Sequence, residues 1–342
     1  MKDAVEGIDA ERVTNWLLER VEDLRPPFEF GLIAGGHSNL TYAITDARGR
    51  RLVLRRPPLG HVLESAHDVA REYRIISAVA ETDVPVAATY GVCEDREVNG
   101  APFYVMDFVE GAVLHDADAA AAVPLGERAA LGMDVIDVLA RLHAIDPDAI
   151  GLGQLGRKEA YLERQLKRWT KQWENSKTRE IPAMEESRRL LAERMPEQLG
   201  ASIVHGDYRL GNMLVTGPRI SAVLDWELCT LGDPLADVGY LLNSWIEPGE
   251  QDTRPGDQPP TTAGGFPTRD TLVLRYQDVT GRDLSDIDYY RAFSHWRLAA
   301  IGEGVYKRYQ VGAMGERGDM DLTAFAESVV NRAQSALDLL TK

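Results

Sequence analysis

Three polar side chains in the stretch SIVHGDYRLGNMLVTGPRISAVLDWE stand at spacings that could support chemistry. An apolar run leads into a His-Gly-Asp triplet that ends at Asp207, and Asn212 follows five residues later. Asp225 follows Asn212 by thirteen residues, at the end of a second apolar run. A simple turn would explain the triplet alone. Such apolar surroundings have no structural need for three polar residues at the ends of strands, so their combination favours a functional site.

The residue types fit the transfer of a phosphoryl group. This reaction needs a carboxylate that orients the acceptor hydroxyl and takes its proton, and oxygen ligands for Mg²⁺. We therefore predict that Asp207 is the catalytic base and that Asn212 and Asp225 bind the metal. The spacing is that of a kinase catalytic loop followed by a metal-binding aspartate, which predicts ATP and Mg²⁺ as cofactors.

Residues upstream match the needs of nucleotide binding. A glycine-rich segment opens the first predicted hairpin and could cover the ATP phosphates, although it lacks the full G-x-G-x-x-G pattern and could be an ordinary turn. Its candidate residues are Gly35, Gly36, Ser38 and Asn39. Arg55 ends the strand Leu-Val-Leu, where kinases place a phosphate-binding lysine, and Glu72 follows on a predicted helix as its ion-pair partner.

A hinge is predicted where the strand Phe-Tyr-Val-Met-Asp-Phe-Val runs into Glu110 and Gly111. The backbone of Asp107 and Val109 could hydrogen-bond the edge of an adenine there. A core strand is the alternative reading, and the two are compatible because a hinge uses backbone atoms.

Apolar periodicity gives an α+β chain with two lobes. The predicted strands of the N-lobe (1–110) are 40–45, 51–55 and one each within 84–95 and 101–111. Its predicted helices are 8–24 and 66–80. The C-lobe (111–342) is predicted to be mostly helical, with helices 126–145, 159–175, 286–310 and 322–340, short strands 213–215 and 220–224, and a long loop at 247–267.

Composition narrows the class of protein. The chain has 342 residues and 44% hydrophobic residues, enough for about two domains with a substantial core. Its net charge of −16 argues against nucleic acid or an anionic membrane as the main partner. The two cysteines suggest a reducing compartment, and no signal peptide or membrane-spanning run is recognised. We expect a cytoplasmic protein; its oligomeric state is left open.

With these residues assembled, the sequence resembles the aminoglycoside phosphotransferase (choline/ethanolamine kinase-like) family over nearly its whole length. The resemblance implies a protein kinase-like fold with ATP between the lobes. It also implies the base role for Asp207 and the metal role for Asn212 and Asp225. Asp237 in GDPLADVG is similar to a family aspartate that supports the catalytic loop, and His205 is expected to give structural support to the same loop.

Several stretches, such as VLRRPPLG and VLDWELCTLGDPLADVGY, are similar to the phosphotransferase domain found with acyl-CoA dehydrogenases. That branch implies a 4-hydroxyacyl-CoA acceptor and a functional link to an acyl-CoA dehydrogenase. Arg55 in place of lysine is common in the branch. Gly211, where an aspartate often precedes the metal asparagine, is expected to change loop flexibility more than metal binding.

The acceptor is the least defined feature. The net charge of −16 would favour a cationic acceptor such as an aminoglycoside. Residues 157–179, however, are locally basic, with eight Lys or Arg against three Glu. Arg164, Arg168 and Lys171 share one predicted helix face that could receive CoA phosphates, the alternative being a solvated face. His295 is a candidate for the acceptor site.

Three further functions remain open from the sequence. One is an aminoglycoside or other small-molecule hydroxyl kinase. Another is a nucleotide-binding regulatory protein that has lost transfer, which the incomplete glycine loop, Arg55 and Gly211 would suit and the intact base and metal residues oppose. A protein kinase is disfavoured because Asp225 is followed by Trp-Glu rather than Phe-Gly, and no Ala-Pro-Glu segment is recognised.

Overall fold

The computed structural model describes residues 5–34, 39–59, 68–250, 258–312 and 321–342. The chain divides into two compact units. Unit 1 comprises Met1–Gly111, Ile150–Leu152 and Ser221–Leu228, and unit 2 comprises Ala112–Ala149, Gly153–Ile220 and Cys229–Lys342. The division at Gly111 lies beside the predicted lobe boundary, but the segment that carries Asp225 belongs to unit 1 rather than to the predicted C-lobe.

Unit 1 is built on a five-stranded antiparallel sheet. The strands are β1 Glu29–Ala34, β2 Leu40–Thr45, β3 Arg51–Arg56, β4 Thr89–Cys93 and β5 Phe103–Asp107, and their order in the sheet is β1-β2-β3-β5-β4. Buried and partly exposed side chains alternate along β2, as expected for a strand with one covered face. In the register of the sheet, Arg55 on β3 lies opposite Thr41 on β2 and Tyr104 on β5.

Three helices complete unit 1: α1 Ala10–Arg20, α2 Val69–Val79 and α3 Arg96–Asn99. Each begins after an aspartate whose carboxylate accepts a hydrogen bond from a backbone N–H of the first turn, which satisfies a group that the helix leaves unpaired. Helix α1 buries one apolar face, and Trp16 contacts Phe103 of the sheet edge-to-face at 5.0 Å. Helix α2 buries Glu72 together with its apolar residues.

Unit 2 is mostly helical. Its helices are α4 Ala117–Ala121, α5 Leu125–Ala144, α6 Tyr161–Ser176, α7 Pro182–Glu193, α8 Leu235–Ser244, α9 Arg269–Thr280, α10 Ile287–Gln310 and α11 Leu322–Thr341. Helix α10 packs against α6, α7, α8 and α11. It is buried on more than one face, and Trp296 at its centre donates a 3.1 Å hydrogen bond to the carbonyl of Met184.

Short strands of unit 2 hold the loop that contains Asp207. Two antiparallel pairs form there: β7 Ser202–Val204 with β10 Thr230–Gly232, and β6 Ala112–Val113 with β8 Met213–Thr216. The strand that follows β8, β9 Arg219–Val223, continues into unit 1 and ends two residues before Asp225.

The predicted elements agree with the structure where the apolar pattern is strong. The predicted strand 40–45 is confirmed without change, and helix 8–24 is shorter, because Val21 is already extended. Strand β1 and helices α7, α8 and α9 were not predicted, and neither were the short elements α3, α4, β6 and β10. Within the predicted loop, Pro260–Ala263 forms a 3₁₀ turn, and residues 251–257 lie outside the described part. No helix in the described ranges is long and apolar enough to cross a membrane.

Candidate active site

The loop after β7 is held in place by a buried aspartate of α8. Asp237 accepts the backbone N–H of His205 at 2.6 Å and that of Gly206 at 2.8 Å. Gly206 has φ +86°, a left-handed conformation that glycine adopts without the strain of a side chain. These contacts fix the backbone immediately before Asp207, as a supporting residue would.

A histidine from α5 completes this support. His143 contacts Asp237 at 3.3 Å through Nε2 and the hydroxyl of Tyr276 at 2.7 Å through Nδ1. Burial alone would raise the pKa of Asp237, but the hydrogen bond from His143 and that from the backbone N–H of Gly206 hold it below its usual range. Burial lowers the pKa of His143, which Asp237 opposes only in part. The pair therefore supports the loop as a carboxylate and a neutral imidazole at neutral pH.

The carboxylate of Asp207 is oriented through both of its oxygens. Asn212 donates its amide to Oδ2 at 2.6 Å and to the backbone carbonyl of Asp207 at 2.9 Å. The hydroxyl of Tyr240 donates to Oδ1, and Nε of Arg209 approaches the same oxygen at 3.3 Å. About a fifth of the Asp207 side chain stays exposed. A carboxylate fixed in this way and still open to solvent can accept a proton from a bound hydroxyl.

Tyr240 is itself constrained. Burial and the neighbouring Asp207 raise the pKa of the Tyr240 hydroxyl, so it stays protonated and acts as a donor. The guanidinium of Arg297 lies over its ring at 5.3 Å and donates a 3.1 Å hydrogen bond to the carbonyl of Gly206. Arg297 thus connects Tyr240 to the loop that carries Asp207.

Gly211 lies against the side chain of Arg209. A Cβ at this position would lie 2.3 Å from Nη1 of Arg209, so a larger residue would require the guanidinium to shift. Because Nη1 is the far end of a flexible side chain, this shift costs little, and packing alone does not require a glycine here. The effect of Gly211 on loop flexibility stays a prediction.

In unit 1 the carboxylate of Asp225 is held by an ion pair with Arg55. Arg55 donates Nη2 to Asp225 Oδ1 at 2.8 Å and Nε to Glu72 Oε2 at 3.0 Å, and Asn39 donates to the same Glu72 oxygen at 3.3 Å. Burial alone would lower the pKa of Arg55, but Glu72 and Asp225 raise it, so the guanidinium stays charged. Burial also raises the pKa of Glu72, against the effect of Arg55. The predicted pair Arg55–Glu72 is present in the structure.

Asp225 itself has an unusual backbone. Its φ is +64°, a left-handed conformation that costs a non-glycine residue of order 1 kcal/mol and that clusters at functional sites. The conformation turns the chain at the end of β9, and 30% of the side chain is exposed. One carboxylate oxygen contacts Arg55, which leaves the other for a ligand.

The remaining predicted nucleotide residues are less informative. Gly35, Gly36 and Ser38 lie outside the described residues. The N–H of Asp107 donates to the carbonyl of Ala88 at 2.8 Å, so this N–H is not available to an adenine. The hinge role of Asp107 and Val109 stays a prediction, as does the nucleotide role of Asn39.

The predicted basic face lies on α6. Arg164 donates to the carbonyl of Arg157 at 2.6 Å, the guanidinium of Arg168 lies over the ring of Trp169 at 5.1 Å, and Lys171 is exposed. Three other cations of the segment have acidic partners, since Arg179 pairs with Glu303, Lys158 with Asp148 and Lys177 with Glu185. The segment therefore offers less unpaired charge than its sequence suggests. Binding of CoA phosphates here stays a prediction.

A cavity of about 690 Å³ within unit 2 contains Asp207. Tyr240 from α8 and His295 from α10 line it, together with Leu339 from α11. None of the three α6 residues Arg164, Arg168 and Lys171 is among its lining residues. The structure thus brings His295 and Asp207 to one cavity and leaves the predicted basic face outside it.

Several residues of this site were missed by the sequence analysis: Tyr240, Arg209, Arg297 and the residues of α11. Tyr240 had a weak signal, because it follows Asp237 by three residues and so falls near it on a helix. Arg297 and α11 come from distant parts of the chain and have no local signal.

Comparison with known proteins agrees with this geometry. A model described as the phosphotransferase enzyme family matches residues 29–258. The chain belongs to this family. It is 37% identical over 321 residues to acyl-CoA dehydrogenase family member 10 of Mus musculus, a match that covers 92% of this chain and 30% of the mouse protein. The chain therefore spans about a third of that relative's length.

Two solved structures extend the comparison. A Ralstonia eutropha protein, assigned provisionally as an aminoglycoside phosphotransferase, is 36% identical with a TM-score of 0.83, covering 97% of this chain and 98% of its own. Aminoglycoside phosphotransferase APH(4)-Ia, in a thermostable mutant bound to AMP-PNP and hygromycin B, is 16% identical with a TM-score of 0.61 and covers 96% of this chain and 98% of its own. The predicted α+β kinase-like fold is confirmed. The family match and the 36% identical structure also confirm the predicted small-molecule phosphotransferase acting on a hydroxyl group.

Proposed function

We propose that the protein transfers the γ-phosphoryl group of ATP, with Mg²⁺, to the hydroxyl group of a 4-hydroxyacyl-CoA. The observation that carries the proposal is the Asp207 carboxylate, which Asn212 and Tyr240 orient and which faces a cavity of small-molecule size. A structural carboxylate would gain nothing from facing an open cavity.

Asp207 has the central role in the proposed reaction. Its carboxylate accepts the proton of the acceptor hydroxyl, while the hydroxyl oxygen forms a bond to the γ-phosphorus and the bond between that phosphorus and ADP breaks. Tyr240 and Asn212 keep the carboxylate in position, so little reorganisation is needed when the acceptor binds.

The residues present fit ATP and Mg²⁺. The amide nitrogen of Asn212 is used by Asp207, which directs the amide oxygen away as a ligand, and Asp225 supplies carboxylate oxygen. Both are ligand types that Mg²⁺ prefers when it is shared with phosphates. In the described residues no group of three or more His, Cys, Asp or Glu side chains could hold a metal ion. Arg55 would contact the phosphates.

The acyl-CoA acceptor is supported by the relatives. The part of the mouse protein that matches this chain belongs to a longer protein, which is named as an acyl-CoA dehydrogenase family member. A kinase in that setting would phosphorylate a hydroxylated acyl thioester whose product the dehydrogenase could then process. We extend this functional link to the present chain as part of the proposal.

The substitution Asp207→Asn tests the proposal. The amide keeps the shape of the side chain but cannot take a proton, so we expect kcat for 4-hydroxyacyl-CoA to fall by about 10²–10⁴-fold while the KM for ATP changes little. Phosphorylated product is measured by mass spectrometry, with aminoglycosides and free sugars as competing acceptors.

Asp278→Asn is the matched control, because Asp278 lies on α9 with 80% of its side chain exposed and outside the cavity. Its activity should equal that of the original chain. Transfer to an aminoglycoside but to no hydroxyacyl-CoA would contradict the proposed acceptor, and ATP binding without transfer to any acceptor would contradict the enzymatic role.

A further inference from the structure

The cavity that contains Asp207 is rich in cations, although the whole chain has a net charge of −16. Five of its lining side chains are basic and three are acidic. The basic residues are Arg209, Arg269, Arg291, Arg332 and Lys342. Since the global charge has the opposite sign, this local excess is a property of the cavity itself.

The acidic residues of the cavity already have partners. Glu250 accepts two hydrogen bonds from Arg269, at 2.5 and 2.6 Å, and Asp338 accepts one from Gln334 at 2.7 Å. The third acid is Asp207, the proposed base. A cationic acceptor that enters this cavity would therefore meet few carboxylates able to replace the water molecules that hydrate its charge.

Arg291 is the cation whose position most favours an anion. It is mostly buried, and its contacts are a 3.3 Å hydrogen bond to Asn243 and a 3.1 Å ion pair with Asp288, which is itself half exposed. Burial lowers the pKa of Arg291, and the nearby Arg269 lowers it further. Within the part of the chain that the structure describes, Nη2 of Arg291 has no protein partner.

We propose that this cavity contains an anion subsite centred on Arg291, and that the acceptor carries a phosphate or carboxylate group besides its hydroxyl. The inference deepens the proposed function and rests on it, because Arg291 and Asp207 line the same cavity. A planar guanidinium binds either group through two parallel hydrogen bonds. The phosphate of CoA and the carboxylate of a short hydroxy acid are two sources of this chemistry.

Titration calorimetry on the full chain tests the subsite without turnover. The protein is first saturated with AMP-PNP and Mg²⁺. CoA, 4-hydroxybutyrate and inorganic phosphate are then titrated in three separate experiments. We expect at least one of the three to bind, and binding to weaken at high salt. Arg291→Gln should weaken it about 10–100-fold, the loss expected for one charge-assisted contact.

Two further variants make the result interpretable. Arg308→Gln makes the same change near the end of the same helix, at an exposed residue outside the cavity, and should bind as the original chain does. Lys342→Gln removes an exposed cation of the cavity and should weaken binding only a few-fold, which keeps the test valid if Arg291→Gln does not fold.

The outcomes separate the two proposals. CoA binding above phosphate supports the subsite with CoA as its source, and stronger binding of 4-hydroxybutyrate supports it with a hydroxy acid. No binding of any probe, or binding equal in both cavity variants and the original chain, overturns the subsite even if ATP-dependent transfer is observed. Arg291-dependent binding without transfer would overturn only the proposed function.

Discussion

Asp207 in unit 2 and Asp225 in unit 1 are both carboxylates of the proposed reaction, but they are held differently. Asp207 is oriented by hydrogen bonds from the neutral donors Tyr240 and Asn212, with Arg209 at a longer distance. Asp225 is held by a full positive charge, the buried guanidinium of Arg55. Neutral donors fix the Asp207 carboxylate without balancing its charge, whereas the guanidinium of Arg55 balances the charge of Asp225.

The difference agrees with the two tasks. A base must keep an accessible lone pair, so its partners have to position it without competing strongly for the proton. A site for polyanions needs a cation that is already charged and desolvated, and Glu72 keeps Arg55 in that state. The three predictions below test each half of this contrast.

Of these three predictions, the largest effect is expected at Arg55, which holds Asp225 by charge. Arg55→Met removes the cation and leaves Glu72 and Asp225 without their ion-pair partner, so we expect the KM for ATP to rise by roughly 10–100-fold. Arg55→Lys should recover part of the loss. Arg48→Met, in the exposed hairpin turn of the same unit, is the control. An unchanged KM in Arg55→Met, measured by steady-state kinetics, would show that Arg55 is only structural.

A smaller effect is expected at Tyr240, one of the neutral donors that orient Asp207. Tyr240→Phe removes one hydrogen bond to Asp207, and we expect kcat to fall about tenfold with little change in the KM for ATP. Tyr289→Phe is a matched control, because it removes a buried tyrosine hydroxyl that donates to the carbonyl of Leu191 outside the cavity. Equal kcat losses in both variants would mean that Tyr240 affects folding rather than the base.

The smallest effect is expected at His143, which contacts the Asp237 carboxylate that holds the loop of Asp207. Burial lowers the pKa of His143, so below the unfolded value of about 6.5 the unfolded chain takes up a proton that the folded chain does not. Stability therefore falls as the pH drops below about 6.5, by at most about 1.4 kcal/mol per pH unit. Urea unfolding of the original chain and of His143→Gln measures this slope. A slope equal in both would exclude His143 as its source.

The sequence predicted well those parts of the fold that have strong local patterns. The strand Leu40–Thr45 has strict alternation, and helix α5 has a long apolar face, so both were found. Helix α8 was missed because it is short and its apolar residues are interrupted by Asp237 and Gly239. Helix α9 was missed because it follows a loop rich in Pro and Gly and buries only Leu272 and Tyr276, which gives a weak periodic signal.

For the site, the sequence by itself determined the chemistry: the spacing of Asp207, Asn212 and Asp225 is local and indicates phosphoryl transfer. Only the tertiary structure decided which residues surround them. Arg55 meets Asp225 across 170 residues, and Arg291 joins the Asp207 cavity from α10. The physical reason is that catalytic groups adjoin short strands whose spacing is fixed along the chain. The charges around an acceptor come from helix packing, which depends on side chains throughout the unit.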